Sequence, residues 1–299
     1  MAAVIHYALK ASILLMVFAL GLSARPRDLT YVIRRPGLLA RSVFSIDILV
    51  PLATAVMISI FPLDPPVKIA LIALSVSPIP PLLPKKAAKA SGDGSYGIGL
   101  LLVVALLAIV VVPISASVLG DVFGRNAHFS YSAVAMIIAE NVLAPIAAGM
   151  LLGQFAEGFA ERIAKPIARF APIVLLLAVA PLLYKAGPAM LALVGDGTLA
   201  AIVAFILVGL AAGHMLGGPR QSHRTVLAIA SSSRHPGIAI AIAGANFEHA
   251  KRATVVILLY MIVNIVVAVP YRMWRKHAFG DEEDVTEMAS TPARLAPGK

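Results

Sequence analysis

Long apolar stretches alternate with short polar interruptions along most of the chain. Nine such stretches cover residues 3–24, 38–61, 67–88, 95–119, 130–155, 166–185, 198–217, 223–245 and 253–275. A membrane-spanning helix needs about 20 residues, and each stretch comes close to that. They are apolar all round. Strands of a transmembrane barrel would instead alternate polar and apolar over about 10 residues. The pattern predicts an all-α polytopic membrane protein of about nine transmembrane helices, one transmembrane domain over residues 1–275. After Lys276 the chain turns polar, with Asp281-Glu282-Glu283-Asp284 and scattered Pro and Gly. Residues 276–299 cannot bury enough apolar area to offset their ordering entropy, which predicts a disordered cytoplasmic tail.

Composition agrees with this pattern. Of 299 residues, 60% are hydrophobic and 13% charged, against about 25% charged in soluble proteins. Mean hydropathy is +0.90. Cysteine is absent, which removes disulfides, a thiol nucleophile and any Cys-based metal site. The net charge of +10 does not point to nucleic acid, because the charges lie in short loops between apolar segments. With nine spans, eighteen of the 25 lysines and arginines fall on one side and five on the other; the last two, Lys10 and Arg234, lie within spans. Leaving out Lys85, Lys86 and Lys89 still gives fifteen against five. Positive residues favour the cytoplasm, so the N-terminus is expected outside and the C-terminus inside, in a bacterial inner (plasma) membrane. No cleavable signal is evident after the first apolar stretch.

Two of the nine stretches are not ordinary helices. In the third, Pro78, Pro80, Pro81 and Pro84 fall within seven positions. A proline removes a backbone donor and clashes with the carbonyl four residues earlier, so this span must unwind near its middle. In the eighth, Ser231-Ser232-Ser233-Arg234-His235 and then Pro236-Gly237 interrupt the apolar run. Unwound backbone at membrane depth is tolerated only where protein buries it or a wet cavity adjoins it. Each broken span is the centre of a triplet, 2–3–4 and 7–8–9, and the triplets enter the membrane in opposite directions. Paired interrupted segments in corresponding positions point to a transporter site; the plainer reading is two proline-kinked helices in a structural bundle.

Several of these residues also resemble a known family. The stretch Leu15-Met-Val-Phe-Ala-Leu-Gly-Leu-Ser, then Arg34-Arg35-Pro36, Pro51, the Ser77-Pro78 break and the Arg234-His-Pro-Gly237 break are similar to the bile acid:sodium symporter family over about residues 11–275. The resemblance implies an inverted repeat of two helix triplets whose broken helices cross. That core, about residues 38–119 and 198–275, would move against a panel of about 3–24 and 130–185. The chain looks like a nine-span variety lacking the first helix.

The departures from that family carry as much weight. Its sodium-coupled members read close to Ala-Pro-Gly-Gly-Thr-Ala-Ser-Asn at the first break, and the Ser and Asn positions here are Leu83 and Pro84. The helix that follows has no hydroxyl between Leu100 and Leu107. At the second break the family's Glu and Gln fall on Ala230 and Arg234, and a glutamine on an earlier helix falls on Ile46. The oxygens of a sodium cage are nearly all gone. Positive groups stand instead: Arg234, His235, Lys85 and Lys86. An intramembrane charge is a functional-site hypothesis by default, and a fixed guanidinium would supply the charge that bound sodium supplies elsewhere. Proton coupling through His235 stays open.

The candidate substrate-binding residues are therefore Arg234, His235, Ser232, Ser233, Lys85, Lys86 and, by the resemblance, Asn264. Asp47 is expected to pair with Lys86 or Arg234, either structurally or as a gating or proton-coupled pair. Glu140, followed by Asn141, faces either a cavity or a neighbouring helix. Lys10 is read as snorkelling to the outer interface. Gly92-Asp-Gly-Ser-Tyr-Gly97 matches a dinucleotide fingerprint in letters only, because no strand precedes it; its glycines serve a turn. The pairs Gly149/Gly153, Gly209/Gly213 and Gly213/Gly217 predict close helix packing, and Trp274 an interface anchor. The histidines lack metal-ligand spacing; no metal and no cofactor is expected. The favoured function is secondary transport of a small organic anion across the bilayer. A sodium symporter with a rearranged ion site and a non-transporting membrane receptor are the alternatives. An enzyme is disfavoured, since no nucleophile–base pair or metal set is visible.

Overall fold

The computed structural model describes residues 2–122, 131–195, 197–246 and 250–290; all regular structure among them is helical. In chain order the helices are α1 Ala2–Ser23, α2 Pro26–Leu29, α3 Pro36–Val43, α4 Val50–Ile60, α5 Pro65–Val76, α6 Leu83–Ala88, α7 Gly94–Val122, α8 Tyr131–Ile138, α9 Ala144–Phe155, α10 Glu157–Ala192, α11 Thr198–Leu216, α12 Gln221–Ser232, α13 Pro236–Asn246 and α14 Ala250–Ser290. Two π-helical turns, Phe44–Leu49 and Ala139–Leu143, join α3 to α4 and α8 to α9.

Among the described residues six helical stretches are long and apolar enough to cross a bilayer: Pro36–Ile60, Gly94–Ser115, Glu157–Ala192, Thr198–Leu216, Gln221–Gly244 and Lys251–Phe279. They agree with the predicted second, fourth, sixth, seventh, eighth and ninth spans. The first and third appear as shorter apolar helices, Tyr7–Ser23 and Pro65–Val76. The third is short for the reason the sequence gives: prolines end α5 after Val76. Helix α14 continues past Lys276 as far as Ser290. Nothing between Tyr271 and Ser290 stops a helix as proline would, and Glu, Met and Ala propagate one well.

Two seams of backbone-to-backbone packing organise the bundle. A Cβ on Gly21 of α1 would lie 2.4 Å from the Ile146 carbonyl of α9, and one on Gly149 2.3 Å from the Phe18 carbonyl. A Cβ on Gly209 or Gly213 of α11 would lie 2.6 Å from the Ser231 carbonyl or 2.3 Å from the Leu227 carbonyl of α12. Small residues let helices approach this closely, and dispersion and polar contacts then hold them where lipid supplies no hydrophobic drive. The second seam fixes α11 along the helix that leads into the Arg234 break. At one end of the bundle His214, Tyr271 and Trp274 form an aromatic cluster with ring centroids 5.6–5.8 Å apart. Beside it the buried Arg275 ties α14 to the start of α12, donating to the Thr225 hydroxyl at 2.8 Å and the Gln221 carbonyl at 2.7 Å.

Candidate functional site

The chain opens twice in mid-span. Ser77 leaves α5 with φ −73° and ψ 144°, and Ser233 leaves α12 with φ −103° and ψ 127°. The two openings touch: the His235 N–H donates to the Pro78 carbonyl at 2.8 Å.

Helix ends and one proline leave carbonyls without backbone donors here. A helical carbonyl at position i accepts from the N–H at i+4, and a proline there has none to give. Ser232 closes α12 and Ser77 follows the end of α5, where the last carbonyls of a helix have no intrahelical donor. Ile46 is freed by a different route. In the π turn the Val50 N–H reaches back five residues to the Ser45 carbonyl. The next residue, Pro51, has no N–H for Ile46. A buried carbonyl without a donor costs about 1–3 kcal/mol, so each must be met by a side chain.

Arg234 meets two of the three. Its Nη1 donates to the Ser77 carbonyl at 3.2 Å and its Nη2 to the Ile46 carbonyl at 2.8 Å. The side chain is 2% exposed. Tyr260 of α14 completes the crossing. Its hydroxyl accepts the Arg234 backbone N–H at 2.8 Å and donates to the Ser232 carbonyl at 2.8 Å, where the Asn264 amide also donates at 2.8 Å. Ser45 and Ser231 hydroxyls pair at 2.8 Å. Helix α5 thus ends on the guanidinium, and a cation is favoured at a helix C-terminus. Among the described residues two buried side-chain atoms here lack a partner, Arg234 Nε and Asp47 Oδ2, and no carboxylate oxygen lies within 4.0 Å of the guanidinium.

The other expected residues fall into three places. Ser232 and Ser233 are buried, and the Ser232 hydroxyl donates back to the Ile229 carbonyl at 3.2 Å. His235 is half-buried; its Nδ1 accepts the Ile238 N–H at 3.3 Å at the start of α13. Pro80, Pro81 and Pro236 are also half-buried and Gly237 is exposed, whereas Ser75–Ile79 and Ser231–Arg234 are buried. Burial at the crossing is deepest along Ser75–Ile79 and Ser231–Arg234 and lighter at Pro80, Pro81 and His235 to Gly237. Lys85 is exposed and donates to the Ala168 carbonyl of α10 at 2.6 Å, a carbonyl that Pro172 leaves without its helical donor. Lys86 is half-buried. Glu140, in the second π turn, pairs with Lys10 of α1 at 3.5 Å, both about half exposed. Lys10 therefore has a partner on a neighbouring helix.

Tyr260 carries no signal of its own in the sequence, where it reads as one more aromatic in an apolar run. The sequence also leaves unmarked a polar cluster at the arginine-rich end of the bundle. There the Tyr31 hydroxyl donates to Asp93 at 2.5 Å and lies 2.9 Å from His223 Nε2, which is 3.5 Å from the same carboxylate. The Tyr96 N–H donates to the other Asp93 oxygen at 2.9 Å. Burial pushes the Asp93 carboxyl up, but the hydrogen bonds from His223, Tyr31 and the Tyr96 backbone outweigh it and hold the group at about 2. Burial and the Asp93 contact push the Tyr31 hydroxyl up to about 12.

Residues 11–193 match the family model of the sodium bile acid symporter family. The chain belongs to that family. The match takes in the first break, Asp47, Lys85 and Glu140, and ends before α11, so the second break is placed by its geometry alone. No curated protein matches the chain. Membership in the sodium bile acid symporter family makes the protein a multi-pass membrane transporter, with a bilayer around it and a small molecule as substrate.

Proposed function

We propose that this family member moves a small organic anion by alternating access and that the transport does not need sodium. Arg234 carries the reading. Its guanidinium sits on two carbonyls at the crossing, beside Ile46, where the family resemblance puts a sodium-ligating glutamine. Leu83 and Ala230, at two further such positions, are buried apolar groups. A sodium ion about 4 Å from the guanidinium would be repelled by about 4 kcal/mol at an effective dielectric near 20. That is roughly a thousandfold in affinity. The positive charge is covalently part of the core and is not carried across.

Nine spans, an inverted repeat of the triplets, and a core moving against a panel belong to the same proposal. The substrate would meet the less buried part of the crossing, at His235, Gly237 and Pro80–Pro81, where the N-terminus of α13 adds partial positive charge. Lys85, Lys86 and Asn264 then act at one remove, Asn264 by holding the Ser232 carbonyl and Lys85 by holding α10 against α6. Asp47 is the carboxylate that balances Arg234 electrostatically. The test is counterflow and uptake of labelled organic anions in proteoliposomes, with sodium replaced by choline at fixed pH and ionic strength. Uptake should persist in choline; uptake that collapses there overturns the proposal.

A further inference from the structure

A cavity of about 310 Å³ opens at the arginine-rich end of the bundle, between the start of α3 and the α11–α12 connection. Arg35, Arg41, Arg220 and His223 line it, with Gly37 and Gly217 among the backbone walls. None of the three arginines has a carboxylate within 4.0 Å among the described residues. Two of them are held in place. Arg35 stacks 3.8 Å over the Tyr31 ring and donates to the Tyr31 carbonyl at 3.1 Å. Arg41 donates from Nε to the Gly37 carbonyl at 2.9 Å and rests on Gly218. Gly218 has φ +83°, a conformation that calls for glycine. His223 is buried and fixed from behind by Tyr31 and Asp93. Helices α3 and α12 both begin at the cavity, with Arg35 and Arg220 as their N-caps.

We propose that this cavity binds a phosphate group. Guanidinium forks match phosphate oxygens and bind them with paired, charge-assisted hydrogen bonds. Three uncompensated guanidiniums around one cavity suit a group with several charged oxygens better than a single carboxylate. Two sources share this chemistry, free inorganic phosphate and the headgroup of an anionic phospholipid. The His214–Tyr271–Trp274 cluster closes the same end of α11 that runs on into Gly217. Aromatic residues of this kind mark headgroup depth, and basic pockets between spans take lipid phosphates.

The site is independent of the transported anion and is tested without transport. The full chain in uncharged detergent is titrated with inorganic phosphate against chloride at matched ionic strength. In a second arm phosphatidylglycerol is compared with phosphatidylcholine in mixed micelles. The thermal midpoint is read in both. Ligand binding to the folded state raises it saturably. A saturable rise in either arm is expected, and the arm that responds identifies the source. Arg41→Gln and Arg220→Gln should each weaken the apparent affinity about tenfold or more. Arg169→Gln, outside the cavity, should leave it unchanged. No saturable rise in either arm, or one that survives both cavity substitutions, overturns the proposal.

Discussion

Replacing Arg234 with methionine keeps an unbranched stem and removes the charge and the donors. The structure sets the cost. Carbonyls of Ser77 and Ile46 lose their hydrogen bonds from the guanidinium; Ser77 lies past the end of α5, and Pro51 denies Ile46 a backbone substitute. At about 1–3 kcal/mol for each buried unpaired carbonyl, the loss is about 2–6 kcal/mol. Relief from burying a charge offsets part of it, leaving a net loss of roughly 2–4 kcal/mol. With about 2 °C per kcal/mol for a large chain, thermal unfolding in detergent should fall by about 4–8 °C. Sodium should not restore it, because Leu83 and Ala230 offer no side-chain oxygen. Anion counterflow should be lost in the same variant, and Arg234→Lys, which restores one charge and donors without the fork, should recover part of the stability. A methionine variant that melts within about 1 °C of the parent and transports normally would overturn this role for Arg234, and so would one that sodium stabilises selectively.

Three further outcomes are expected. Tyr260→Phe strips the acceptor from the Arg234 N–H but leaves Asn264 on the Ser232 carbonyl, so its thermal midpoint should fall by only about 2–4 °C, for a loss of about 1–2 kcal/mol. Gly213→Ala puts a Cβ 2.3 Å from the Leu227 carbonyl and should cost about 3 kcal/mol or more by forcing α11 off α12, seen as poor folded yield on gel filtration in detergent. The Asp93 carboxyl lies lower in the folded chain than its ordinary value of 3.8; its contribution of roughly 1–2 kcal/mol is present above about pH 4 and fades as pH falls toward 2, so Asp93→Asn should flatten the acid limb of a stability–pH profile.

Much of the fold is legible in the order of residues because each signal is local. The prolines at 78, 80 and 81 and the pair Pro236-Gly237 open their spans whatever surrounds them, and the glycines of α9 and α11 announce close packing before a partner is known. What escapes is who answers whom. Asn264 is singled out by the family resemblance, but its bond to Ser232 exists only because α14 crosses the break. Glu140 gives no hint of Lys10, since the pair forms between α1 and a turn more than a hundred residues away. Tyr260 carries no mark at all.

The π turn before Pro51 makes chain length itself part of the site. Were residues 44–50 a plain α-helix, the Val50 N–H would return to Ile46, and Pro51 would strand the carbonyl of Asp47 instead. The extra residue moves the vacancy back by one position, a rotation of about 100° around the helix, onto the side where Arg234 stands. Every side chain at the crossing could be kept and the charge would still lose an anchor if one residue were deleted from this turn. The span is tuned by register as much as by identity, and a substitution scan alone would never reveal it.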